Sequence, residues 1–229
     1  MSMRPTRSLV FPRTLRSVHG ALGVFLGGLG WAASLFVGGA FLESRSAQAS
    51  IVMALELPDL VQQADQIALV DVLSQHADWD SKHERILSTV ELKVVERWKG
   101  DRAAGDAASD RITVVQPGGT VGDLTMTVTG LSTFTAGERA LVFLRGNVSA
   151  AHVVGMGQGK RRVRFEAATN RWLVHAPDLR NATLVKPRVA TPAAGPAAGS
   201  LQRVTPPAGE TALDDLRVQV KALIGTTAR

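Results

Sequence analysis

The sequence predicts a mainly β protein: a small antiparallel OB-like barrel, with a β-sandwich as the alternative, carrying a short N-terminal helix and a C-terminal amphipathic helix. Three observations predict it. Short apolar runs, several of them alternating with period two, recur between residues 67 and 174. Gly-, Pro- and Asp-rich turns separate them. Helical spacing is confined to the two flanks, Leu55–Gln66 and Thr211–Ile224. A barrel is preferred to a sandwich because closure removes exposed strand edges.

The chain opens with a basic, acid-free stretch, residues 1–20, followed by 22 uncharged residues from Ala21 to Leu42. Ala47-Gln48-Ala49 then supplies the small-x-small pattern read by a signal peptidase, so residues 1–49 are expected to be a signal peptide cleaved before Ser50. The alternative is an uncleaved anchor, because a helix over Ala21–Leu42 would reach about 33 Å, enough to span a bilayer. Arginines before the run keep that side cytoplasmic, so either reading exports the rest. The membrane is then met only through this N-terminal segment.

The β domain is expected over 50–185. Leu57, Leu60, Val61 and Ala64 line one face of the first helix, and Pro58 suits its first turn. Strands are expected at Ile67–Leu73, Ile86–Trp98, Ile112–Val115, Leu124–Thr129, Ala140–Leu144, Val153–Val154, Val163–Phe165 and Trp172–Val174. Ala140–Leu144 is apolar on both faces and so belongs at the centre of a sheet. Residues 186–210, rich in Pro, Ala and Gly, read as a linker or extended strap. In 211–229, Leu213, Leu216, Val220, Leu223 and Ile224 mark one face of a helix that Gly225 ends.

The chain holds no cysteine, which excludes disulfides, thiolate metal sites and cysteine nucleophiles. Its net charge of +6 is concentrated in the leader. Setting aside five arginines and one glutamate of residues 1–49 leaves 21 basic and 19 acidic residues. That balance gives no reason to expect nucleic acid as a partner.

Ala64-Asp65 before a strand, Val94-Val95-x-x-Trp98-Lys99-Gly100, and Phe134-x-x-Gly137-Glu138-Arg139-x-Leu141-Val142-Phe143-Leu144 together resemble the layout of exported bacterial β-barrel domains of uncharacterised function. More distantly they resemble netrin-like, OB-type modules, over roughly residues 57–176. The resemblance implies an OB-like barrel. It carries over no functional residue, because the metal-binding terminal cysteine and the disulfides of the netrin-like inhibitors are absent.

Two groups of residues hold chemistry. His76, Asp78, Asp80 and His83, with Glu84 beside them, are ligand types for zinc in a hairpin region, though helical His-Glu-x-x-His spacing is missing. Lys160, Arg161, Arg162 and Arg164, with Trp172 as a stacking surface, suit an anionic glycan, a lipid headgroup or an acidic envelope protein. Gly155-x-Gly157-x-Gly159-Lys160 lacks the spacing of a phosphate-binding loop and reads as a turn. No Gly-x-Ser-x-Gly elbow selects a nucleophile among Ser132 and Ser149, or a base among His152 and His175. These observations point to an exported, non-enzymatic binding module of the envelope or extracellular space, without cofactor. A metal-assisted hydrolase and a membrane-anchored structural subunit are the alternatives.

Overall fold

The computed structural model describes residues 50–100, 110–179, 182–187 and 201–227. The leader, residues 1–49, and the expectations attached to it lie outside them.

The mainly β, antiparallel character and the two helices are as expected. Among the described residues the chain runs β1 (Ser50–Met53), α1 (Leu57–Gln63), β2 (Gln66–Trp79), β3 (Ile86–Lys99), β4 (Arg111–Pro117), β5 (Gly119–Val121), β6 (Leu124–Met126), β7 (Arg139–Arg145), β8 (His152–Val153), β9 (Lys160–Glu166), β10 (Arg171–His175), β11 (Ala182–Pro187), β12 (Leu201–Val204), β13 (Glu210–Ala212) and α2 (Leu213–Thr227). The main sheet follows the order β13-β10-β9-β7-β2-β3-β4, with β8 also on β7. A second sheet, β1-β11-β12, holds β1 parallel to β11, and β5 and β6 form a separate ribbon.

The path of paired strands has two ends, so a closed barrel is not formed by these pairings. Its β4 end is nevertheless tied back. Val114 makes a parallel bridge to Ala151, and Thr113 and Val115 exchange backbone hydrogen bonds with Val148 and Ala151 at 2.7–3.0 Å.

The sheet separates two cores because its central strands are apolar on both faces. Ala140–Leu144 of β7 is fully buried, as the unbroken apolar run requires. Leu141 and Phe143 point to a cluster with Ile67, Leu69, Val163, α1 and α2. Ala140, Val142 and Leu144 point the other way, to Val70, Val90, Leu92, Ile112, Val114 and Phe134. Burying such aliphatic side chains stabilises a fold by about 1.5–3 kcal/mol each.

Helix α1 is shorter than expected. Glu56 is the N-cap, in extended conformation, and its N–H donates to Asp59 Oδ2 at 2.9 Å. At the other end Lys99 Nζ donates to the carbonyls of Val61 (2.7 Å) and Ala64 (2.6 Å), giving two oxygens at the helix C-terminus a cationic donor. Helix α2 buries Leu213, Leu216 and Val220 against the sheet. Arg217 fixes it from the side, reaching Glu96 Oε2 at 2.8 Å and lying 5.8 Å from the Trp98 ring centroid. Gly225 does not end this helix, which continues to Thr227, and Thr211–Ala212 belong to β13.

Two further differences are physical. Strand β2 does not stop at Leu73 but runs to Trp79, because β3 supplies a partner for its polar half as far as Ile86. The segment 186–210 is not wholly a linker: Lys186 and Pro187 pair with Gln202 and Leu201, and Glu210 pairs with His175. Among the described residues no helix is long and apolar enough to cross a membrane.

Candidate functional site

Strand alternation divides the basic group of β9. Lys160, Arg162 and Arg164 share one face of the strand, and Arg161 lies on the other, beside Val163.

On the first face every cation meets an acid. Lys160 is buried, and its Nζ lies 2.7 Å from Glu138 Oε1 and 2.8 Å from the Thr133 carbonyl, over the Phe134 ring. Arg162 Nε is 3.3 Å from the second Glu138 oxygen. Arg164 bonds Glu210 (2.8 Å) and Glu166 (3.3 Å). The Glu210 carboxylate beside Arg164 raises its pKa above the ordinary guanidinium value. The Glu166 carboxyl is held below its usual range, first by the Thr169 hydroxyl and then by Arg164. The face is therefore nearly neutral, and the four-residue cluster does not form one free cationic patch.

Trp172 lies apart from that face. It pairs with Phe165 across β9 and β10, and the two rings are tilted with centroids 5.2 Å apart. Both are exposed, Phe165 at 48% and Trp172 at 38%, and Leu73 is exposed beside them. The Arg139 guanidinium stacks 4.7 Å from the Trp172 centroid. It is held there by a fork-to-fork pair with Asp71, Nε to Oδ1 at 2.7 Å and Nη2 to Oδ2 at 3.0 Å. That hydrogen bonding draws the Asp71 carboxyl below its usual range and raises Arg139. Together with the loop Thr135–Glu138 these residues line an open groove of about 810 Å³. Asp71, Arg139 and Phe165 were not among the candidates from sequence. The available signal was an acid inside the apolar run Ile67–Leu73, since a charge placed there needs a partner.

Of the zinc-type residues, Asp80 and His83 shape the β2–β3 turn. His76 and Asp78 are exposed on β2. Asp80 organises the β2–β3 turn, accepting from the Glu84 N–H (2.9 Å) and the Arg85 guanidinium (3.1 Å), and these bonds, Glu84 first, lower its pKa. His83 takes a left-handed backbone, φ 56°, and stacks on Trp79. Among the described residues no group of three or more His, Asp or Glu side chains is placed to hold a metal ion.

Ser132 and both histidines of a conceivable triad are engaged elsewhere. His152 Nδ1 meets the Val115 carbonyl at 2.8 Å, His175 meets Glu210 at 3.0 Å, and buried Ser132 donates to the Met156 carbonyl. The Gly155–Gly159 segment is a turn whose glycines allow close backbone approach: a Cβ on Gly159 would sit 2.6 Å from the Val154 oxygen.

The chain matches no protein-family model, and no curated protein matches it.

Proposed function

We propose that this protein is an exported, non-enzymatic binding module that docks a protein partner of the envelope through the surface formed by Trp172, Phe165, Leu73 and Arg139. The single observation that carries the reading is the Trp172–Arg139 stack, immobilised by Asp71 at the rim of an open groove. Exposed tryptophan and arginine, held rigid and next to apolar surface, are the residue types that dominate protein–protein binding energy. A protein partner is favoured over an anionic glycan or lipid because Lys160, Arg162 and Arg164 are each neutralised by Glu138, Glu166 or Glu210.

Export rests on the basic stretch, the apolar run and Ala47-Gln48-Ala49. Cleavage before Ser50 is compatible with the pairing of Ser50 with Ala182, since it leaves β1 whole. The strands β2, β3, β4 and β7 are read as an OB-like barrel completed by the Val114–Ala151 bridge instead of by a full ladder.

The test is cross-linking of the mature chain in its own envelope, comparing wild type with Trp172→Ala. A companion captured by the wild type and lost from the variant, at equal thermal stability, supports the reading. A companion retained equally by both, or none captured by either, contradicts it.

A further inference from the structure

At the opposite end of β9 from the Phe165–Trp172 pair, Arg161 enters the protein. It packs over the Phe143 ring, 6.0 Å from the centroid, and its Nε is buried without a hydrogen-bond partner. No ion pair to Arg161 is formed among the described residues, in contrast to Lys160, Arg162 and Arg164 on the same strand. A buried guanidinium normally has a carboxylate opposite it, because desolvation disfavours an unpaired charge. Burial also lowers the Arg161 pKa, and no neighbouring acid offsets the effect.

Arg161 forms part of the wall of a pocket of about 310 Å³. The pocket lies between the segment joining β1 to α1 and the β11–β12 pair. Leu55, Leu57, Leu184 and Val204 make its apolar walls, and Lys186 and Glu56, which neutralise each other as an ion pair, also line it. Gln158 fixes one side of it, accepting from the Leu55 N–H at 2.8 Å and donating to the Met53 carbonyl at 2.9 Å. The volume is at the lower end for small-molecule sites. Apolar walls with one unmatched planar cation suit a ligand with an aliphatic body and a carboxylate head, since the guanidinium fork matches a carboxylate bidentately.

We propose that this pocket binds a small aliphatic monocarboxylate, with its head group on Arg161 and its chain among Leu55, Leu57, Leu184 and Val204. The site is separate from the Trp172 surface and stands or falls independently of it.

Calorimetric titration of the mature chain with decanoate, 1-decanol and inorganic phosphate tests the proposal, alongside Arg161→Gln. Decanoate should bind, and should bind at least about tenfold more weakly to the variant, the loss expected for one charged hydrogen-bonded contact. Decanol and phosphate, each with half of the required chemistry, should bind at least about tenfold more weakly than decanoate to the wild type. Without ligand, Arg161→Gln should melt no lower than the wild type, because it removes a partly buried charge that no carboxylate offsets. If that variant fails to fold, Leu184→Trp, which fills the pocket from its apolar side, should abolish decanoate binding. Absence of decanoate binding, equal binding to wild type and the folded variant, retained binding by Leu184→Trp, or equal binding of phosphate would each overturn the proposal.

Discussion

Lys160 and Glu138 face each other at 2.7 Å, with both side chains about nine-tenths hidden from solvent. The pair links the start of β9 to the loop before β7, and the Thr133 carbonyl takes a second ammonium proton. Removing one partner strands the other in a low-dielectric setting. Glu138→Ala should therefore destabilise the domain by about 3–5 kcal/mol, read from urea unfolding. The double change Glu138→Leu with Lys160→Met should recover most of that loss.

The Asp71–Arg139 pair makes stability depend on pH in a definite direction. The folded-state pKa of Asp71 is lowered, chiefly by the hydrogen bond from Arg139. Its contribution is thus fully present above the unfolded carboxyl value of about 4 and is lost as pH falls through the lower folded value. Both side chains are partly exposed, so solvent screening limits the effect to about 0.5–1 kcal/mol. Asp71→Asn should remove it, and wild type and variant stabilities should converge at low pH in denaturant titrations.

Helix α2 is an integral part of the fold. Leu216 is buried in the core it shares with α1 and Phe143. Leu216→Ala should cost about 2–4 kcal/mol in urea unfolding, as a core truncation does. A helix held only by a partner would show little change in the isolated protein.

Lys99 closes α1 by donating to two of its last carbonyls. Lys99→Met should destabilise α1 by about 1 kcal/mol, the scale of losing capping and dipole interactions. Hydrogen exchange should show the change first at the amide of Ala64, which bonds Leu60.

Much of the central sheet was legible in the sequence because its strands are long and apolar. Val90, Leu92 and the run Ala140–Leu144 announce their burial by pattern alone. The short strands β1, β11, β12 and β13 were not legible. Their sequences are brief and partly polar, and they pair through contacts distant in the chain, such as Ser50 with Ala182. Register also decided the site. The sequence brings Lys160, Arg161, Arg162 and Arg164 together in a line, but the period of a strand turns Arg161 away from the others. The acids that neutralise the remaining three, Glu138 and Glu210 among them, come from other elements. Trp172 was among the candidates from sequence, whereas the Asp71–Arg139 clamp beside it required the pairing of β2 with β7.

The central claim is that the Trp172 surface is the contact surface of an exported module. Its most direct test is mass spectrometry of the chain cross-linked in its native envelope, reading both the bait's N-terminus and the cross-linked residues. The account predicts a chain beginning at Ser50, with cross-links to one partner protein clustered around Trp172, Phe165 and Leu73 and lost in Trp172→Ala. A specific partner cross-linked elsewhere on the domain, with the same yield in Trp172→Ala, would contradict it.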